Sequence, residues 1–203
     1  MKRNLPRGLT ESEIQEAVRQ RYSDVARHPD HGFNFRVGRD FARALGYPDD
    51  LLDQLPPSAW EAFTGVATPS LVADVQPGET VVDLGCGAGL DLILLSRKVG
   101  PGGRAIGIDF APAMVERARH NVERLNLDQA DVRFAEAATT GLANGTADWV
   151  VANGILNLTP DQDAVLVEVA RILRPGGRFL LAETTLQTPL PPDATHSLDD
   201  WFR

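Results

Sequence analysis

The sequence predicts a doubly wound α/β fold: a mostly parallel sheet of about five strands, helices on both faces and a helical lid ahead of it. Three observations predict it. From Glu79 onward, short apolar runs alternate with stretches of helical periodicity, the pattern of parallel strands joined by crossover helices. The first of those runs ends in Asp83-Leu84-Gly85-Cys86-Gly87-Ala88-Gly89, a glycine-rich loop leading into an apolar helix. Before about Val75 there are helical patterns broken by Pro and Gly, and no strand pattern. The chain therefore divides into a lid segment over 1–75, a ligand-binding α/β domain over 76–186 and a tail over 187–203.

In the lid, Thr10 can cap a helix with Glu13 three residues on, and Ile14, Ala17, Val18 and Tyr22 then form one apolar face. His28-Pro29-Asp30-His31-Gly32 is a turn, followed by short helical pieces over 38–45, 49–55 and 58–63, and 68–75 leads into the main domain. Val81–Leu84 is the first strand and Leu90–Val99 the first crossover helix. Ala105–Ile108 is the second strand, and Pro112–Leu125 a helix with Pro in its first turn. Asp131–Phe134 and Ala147–Ala152 are the third and fourth strands. Asp161–Leu173 is a helix that Arg174-Pro175-Gly176-Gly177 stops, and Arg178–Ala182 is the fifth strand. The tail, with Pro189, Pro191 and Pro192, reads as coil with a short helix at its end.

Composition narrows the function. With 43% hydrophobic residues in 203, a full core can form without disulfides. The net charge of −8 and the scattered Lys and Arg provide no basic stripe to displace phosphate counterions, so no nucleic-acid substrate is expected. The lone Cys86 can build neither an internal disulfide nor a cysteine zinc site. Neither an apolar leader nor a bilayer-length segment is evident, so a cytoplasmic protein with no membrane partner is expected.

Sheets of this kind bind ligands at the carboxyl ends of their strands. There, Gly85, Gly87 and Gly89 allow a sharp turn and a close approach of ligand to backbone. A dinucleotide fingerprint would place its third glycine at Leu90. Asp83, just ahead of the loop, would repel a pyrophosphate but suits a ligand with an ammonium group. Asp109, at the end of the second strand, can accept both hydroxyls of a ribose. Phe110 and Met114 can flank an adenine, and Glu136, with the amide of Ala137 beside it, can meet the adenine amino group. S-adenosylmethionine has the ammonium, the nucleoside and no phosphate. An NAD-dependent oxidoreductase is disfavoured by Asp83 and the glycine spacing.

These residues resemble the Rossmann-like class I S-adenosylmethionine-dependent methyltransferases, and most of all their arsenite methyltransferase branch. The resemblance runs from about Val18 to Leu190. Its specific pieces are Arg21-Tyr22, Leu45-Gly46-Tyr47, Leu55-Pro56, the stretch Gln76 to Gly85, Arg97 to Pro101 and Asn157 to Asp161. It implies methyl transfer from a sulfonium by an SN2 step, driven by proximity and orientation. It implies that Asp83, Gly85, Cys86, Gly87 and Gly89 surround the methionine part, that the backbone of Asn153 holds the ammonium end and that Tyr22 belongs to the lid. Arsenite methyltransferases hold trivalent arsenic through soft thiolates. Where that branch carries cysteines this chain has Val66 and Gly154, with Phe33, Asn34 and Phe35 in the third neighbourhood. Arsenic methylation is therefore not expected.

For the acceptor, the lid turn suggests His28 or His31 as a base. Gly154 and Asn157 follow the fourth strand, and Phe33, Phe35, Trp60 and Phe63 can line an apolar pocket. No metal-ligand spacing appears, so a metal-independent reaction on a small molecule is expected. The alternative is a relative that binds S-adenosylmethionine or its demethylated product without turnover. Either the sheet stops at five strands or a partner chain covers that edge; a bare edge would invite aggregation, which favours a homodimer.

Overall fold

Thr10 opens helix α1 (Glu11–Arg27) with a full capping box: its hydroxyl takes the amide of Glu13, whose carboxylate returns to the Thr10 amide. This helix is the longest element of the computed structural model, which describes residues 5–6, 8–185 and 197–202. Four short helices follow: α2 (Arg39–Leu45), α3 (Asp49–Leu52), α4 (Pro57–Trp60) and α5 (Pro69–Val72). Each is cut short by local chemistry. Gly46 ends α2 in the left-handed region at φ 113°, while Pro57 and Pro69 start new helices at their own first turns. Tyr47, Leu52, Leu55, Ala59 and Phe63 then pack against Leu90, Ile93 and Leu94 of the helix that follows the glycine loop.

The strands are β1 (Thr80–Leu84), β2 (Arg104–Asp109), β3 (Ala130–Phe134), β4 (Ala147–Asn153) and β5 (Leu173–Ala182). They form one five-stranded sheet in the order β3-β2-β1-β4-β5, with every pair parallel. Helices α6 (Leu90–Val99), α7 (Pro112–Arg124) and α8 (Gln162–Ile172) connect the strands. Because successive strand residues point to opposite faces, Val81 and Val151 join Leu92, Leu95, Val115 and Ala118 in one core. Val82, Val150 and Ala152 join Val165, Val169 and Ile172 of α8 in the other. Each fully buried Leu or Ile contributes about 1.5–3 kcal/mol by leaving water.

The expected elements are all present among the described residues, with one correction. The Arg174–Gly177 stretch does not separate α8 from the last strand; β5 begins at Leu173, which pairs with Ala147. The next pair is Trp149 with Arg178, so the one residue between them on β4, Asp148, faces four on β5. Pro175 cannot donate to the ladder and Gly176 turns at φ 81°, which throws the segment outward as a bulge. The expected tail lies largely outside the described residues. Its end forms helix α9 (Leu198–Trp201), where Trp201 and Phe202 pack on Ile14 and Val18 of α1. No helix among the described residues is long and apolar enough to cross a membrane.

Candidate active site

The carboxyl ends of β1, β2 and β4 open onto two adjoining cavities. The larger, about 870 Å³ and open to solvent, is lined by Tyr22, Gly85, Gly87, Asp109, Phe110, Met114, Glu136, Ala137, Asn153 and Gly154. The smaller, about 380 Å³, is lined by Phe63, Asp83 and Cys86 and shares Thr64, Gly85, Gly87 and Asn153 with the first. Neither wall contains a lysine or arginine. Gly89 reaches neither cavity. It turns at φ 94°, and a Cβ there would meet Ala118 of α7 at 3.4 Å, so it serves helix packing.

The glycine loop is built around Asp109. Its carboxylate accepts the Gly87 amide at 2.9 Å and the Ala111 amide at 2.9 Å, which ties the end of β2 to the loop after β1. A carboxylate offers about four acceptor sites, so these bonds leave capacity for a ligand's hydroxyl. Desolvation raises its proton affinity above the ordinary carboxylate range. Gly87 turns at φ 53°, and beyond it lies open space within 4 Å, leaving its backbone open to a ligand. Cys86 fits because Gly107, across the β1–β2 register, has no side chain: a Cβ there would stand 2.8 Å from the cysteine sulfur. The buried thiol is raised well above its usual range by desolvation and by the charges of Asp109 and Asp83.

Asp83 is 2% exposed, and its Oδ2 has no hydrogen-bond partner. Burial pushes its carboxyl well above the ordinary range, and the charges of Asp91 and Asp109 push the same way. An orphaned acceptor in a pocket without a basic side chain carries a large desolvation penalty unless a cation arrives. The ammonium of S-adenosylmethionine supplies one, while the Asp109 carboxylate and the loop amides suit its nucleoside. The residues present fit that cofactor.

Tyr22 lines the larger cavity from α1, together with Gln15 and Val18. Burial raises its phenol pKa above the ordinary tyrosine value, so the phenol stays protonated at neutral pH. Phe33 and Phe35 stand behind it: Phe35 stacks on Tyr22 at 6.0 Å and on Phe33 at 5.4 Å. Both pack on Val25, Ala26, Ala111 and Met114, and neither lines a cavity. Trp60 is half-buried in the cluster of Phe63 and Leu94, under the guanidinium of Arg39 at 5.4 Å. His28 and His31 stack on each other at 4.7 Å in an exposed turn; the polar turn stays in solvent while α1 itself covers the cleft. Asn157 is drawn toward β5 instead, its amide nitrogen donating to Glu183 at 3.1 Å and its Nδ2 to Thr184 at 3.2 Å. The structure thus brings Phe63 and Gly154 to the cavities, and leaves His31, Phe33, Phe35, Trp60 and Asn157 outside their walls.

Sequence reasoning missed Gln15, Thr64, Gly65, Asp91, Ile155 and Leu158 as lining residues. Asp91 offered a signal: it is the one acid in the run Leu90-Asp91-Leu92-Ile93-Leu94-Leu95. The others are placed by tertiary contact alone. Val66 and Gly154 are neighbours in space, a Cβ on Gly154 standing 3.1 Å from Val66 Cγ1.

Comparison with known proteins agrees with this geometry. A family described as a methyltransferase domain matches residues 76–203. An arsenite methyltransferase of Halobacterium salinarum is 32% identical over 196 residues, 89% of this chain and 50% of its own length. Nocamycin O-methyltransferase of Saccharothrix syringae is 37% identical over 142 residues, 70% of this chain and 48% of its own. The crystal structure of an arsenic(III) S-adenosylmethionine methyltransferase from Chlamydomonas reinhardtii superposes with a TM-score of 0.54 and 29% identity, covering 68% of this chain and 46% of that one. The chain spans about half the length of the curated relatives it matches. Its sheet order, glycine loop, strand-end carboxylates and family match together establish that this chain belongs to the class I S-adenosylmethionine-dependent methyltransferases.

Proposed function

We propose that the chain transfers the methyl group of S-adenosylmethionine to a small, uncharged acceptor, without a metal, and that the acceptor is not arsenite. The observation that carries the cofactor reading is the partnerless Oδ2 of Asp83, buried in a pocket with no basic side chain. When bound, the cofactor supplies an electrophilic methyl on a sulfonium, already activated for displacement. Asp83 and the backbone of Asn153 receive the ammonium, and the loop from Gly85 to Gly87 lies along the methionine chain. Asp109 takes the ribose hydroxyls, Phe110 and Met114 flank the adenine, and Glu136 with Ala137 meets its edge. Tyr22 and Thr64 close the cavity junction and hold the acceptor against the methyl, so that orientation supplies most of the rate.

The acceptor class follows from the walls. Val18, Ile155, Leu158, Pro160 and Val165 make the outer cleft apolar. Glu183, just past β5, is committed to the amides of Leu156 and Asn157. With Tyr22 held protonated, the acceptor must bring a nucleophile that needs no strong base. Arsenite is disfavoured because the positions that carry thiolates in its methyltransferases are Val66 and Gly154 here, and the single cysteine is buried in the cofactor loop.

Calorimetry with S-adenosylmethionine, its demethylated product and NAD is the test. Micromolar binding of the first two and none of NAD is expected, followed by turnover when apolar alcohols, phenols and amines are screened. Tight NAD binding overturns the reading. Cofactor binding without turnover on any acceptor favours a non-catalytic S-adenosylmethionine-binding protein, a reading supported by the commitment of Glu183 and the exposure of both lid histidines. A homodimer through β5 is our reading for that edge, where Leu181 and the flanking Val72 are exposed; sedimentation of the chain as a monomer would exclude it.

A further inference from the structure

Asp91 stands in the first turn of α6, only 6% exposed, and no step above uses it. Its Oδ1 accepts the hydroxyl of Tyr47 at 2.5 Å and that of Ser70. Its Oδ2 accepts the Asn153 amide Nδ2 at 3.0 Å. Asn153 in turn holds the lid: its Oδ1 accepts the backbone amides of Val66 at 2.8 Å and Ala67 at 3.1 Å, and its Nδ2 donates to the Ala67 carbonyl at 3.0 Å. The Asn153 side chain is therefore fully engaged, which leaves its backbone for a ligand. Gly65 lies so close to it that a Cβ there would run into the Asn153 amide. Thr64, next in the chain, borders both cavities, and Tyr22 borders the larger one with it.

A buried carboxylate persists only when donors surround it. Asp91 has collected donors from three separate parts of the chain: the loop after α2, the start of α5 and the end of β4. A leucine at this site would satisfy the helix just as well and would tie nothing together. The distances form one continuous path from Asp91 through Asn153 to Val66 and Ala67, and Thr64 and Gly65, just before them, border the smaller cavity.

We propose that Asp91 is a positioning residue for methyl transfer, which fixes the Asn153 side chain and through it the Thr64–Ala67 loop across the junction of the two cavities. The inference rests on assigning the smaller cavity to the methionine end of the cofactor. Its consequence is that the lid is docked by Asp91 and not by apolar packing alone, so cofactor affinity and turnover both depend on a residue that reaches neither the nucleoside nor the acceptor.

Asp91→Asn tests it selectively. The new side chain keeps an oxygen for Tyr47 and Ser70, but its amide faces the amide of Asn153, so only the link to β4 is broken. We expect the Kd for S-adenosylmethionine to rise about tenfold, as for one hydrogen bond made by a charged group, and kcat to fall with it. The swap Asp91→Asn with Asn153→Asp restores a donor facing an acceptor, at the loss of the bond to the Ala67 carbonyl, and is expected to recover most of the affinity. Tyr47→Phe, which removes a single hydroxyl and keeps the ring, is expected to weaken binding about threefold and guards against a first variant that does not fold. If Asp91→Asn and Tyr47→Phe lower only the melting temperature, with Kd and kcat unchanged and no rescue by the swap, Asp91 is structural and the proposal falls. If the unaltered chain does not bind S-adenosylmethionine, the cavity assignment falls and takes the proposal with it. That outcome is read before any variant is made.

Discussion

Asp83 and Asp91 are buried carboxylates on the wall of one cavity, yet they are served unequally: three side chains donate to Asp91, and an oxygen of Asp83 has none. Where two acids share a dry site, the proton settles on the one with fewer donors. Asp83 therefore holds a proton more readily than an ordinary carboxyl, because of its burial and the charges of Asp91 and Asp109, with the phenol of Tyr47 and the thiol of Cys86 also facing it. An ammonium arriving beside it favours the carboxylate, so cofactor binding releases a proton and affinity rises with pH. Calorimetry in two buffers of different ionisation enthalpy should show that release. It should vanish in Asp83→Asn, whose affinity should lose its pH dependence. The sign for stability is opposite. A carboxyl whose pKa is raised in the fold stabilises the cofactor-free protein below the ordinary carboxylate range, and that contribution is lost as pH climbs through the raised value. Asp83→Asn should flatten this part of the melting profile, and an unaltered profile would disprove the raised proton affinity of Asp83.

Asp109→Ala should weaken S-adenosylmethionine binding by at least tenfold. The side chain is assigned both ribose hydroxyls, each charge-assisted bond contributing about 1.5–3 kcal/mol. Its removal also frees the Gly87 and Ala111 amides, which it now holds at 2.9 Å, so the loop itself loosens. Adenosine alone should lose affinity in the same proportion, since the effect belongs to the nucleoside half. Unchanged affinity for either ligand would refute the ribose assignment.

The order of elements was legible because each strand is a short apolar run and each crossover helix carries its own face of Leu, Val and Ala. The acid and glycines after β1 and the acid after β2 were legible too, because their chemistry depends on local spacing. What was not legible depends on residues far apart in sequence. Trp60, Phe33 and Phe35 have the composition of a pocket wall, but whether an aromatic ring faces a cavity or its backing is decided by which helix packs behind it. Here α6 claims Trp60 and α7 claims the two phenylalanines. Nothing near Tyr47, Ser70 or Asn153 reveals that all three converge on Asp91. The bulge in β5 escaped for a related reason: Pro175-Gly176-Gly177 is a turn locally, and only its pairing with β4 carries the strand through it.

Cys86 should be inert in the folded protein. The thiolate is the reactive form, and this thiol is 7% exposed with its pKa raised by desolvation and two nearby carboxylates. Iodoacetamide at neutral pH should label it only after denaturation, as followed by mass spectrometry. Arsenite at millimolar concentration should neither change that labelling nor shift the melting temperature. Rapid labelling of the folded chain, or protection by arsenite, would show a thiolate open to solvent and reopen the arsenic reading.

Glu168, on α8, offers a test outside the walls of the two cavities. It is 7% exposed, accepts the amide and hydroxyl of Thr140, and binds Arg171 through both oxygens. The Arg171 guanidinium leads these interactions, and together they hold its pKa down to about 2. A carboxyl whose pKa is depressed in the fold contributes stability above its unfolded value of 4.5, and that contribution is lost as pH falls toward about 2. Glu168→Gln keeps the shape and one acceptor but removes the charge, and should lower stability at pH 7 by about 1–3 kcal/mol. The difference between the two proteins should shrink steadily below pH 4.5, because protonation makes the original resemble the variant. Denaturant melts at pH 7, 5 and 3 would measure it, and a constant difference across that range would mean that the pair contributes through packing and not through charge.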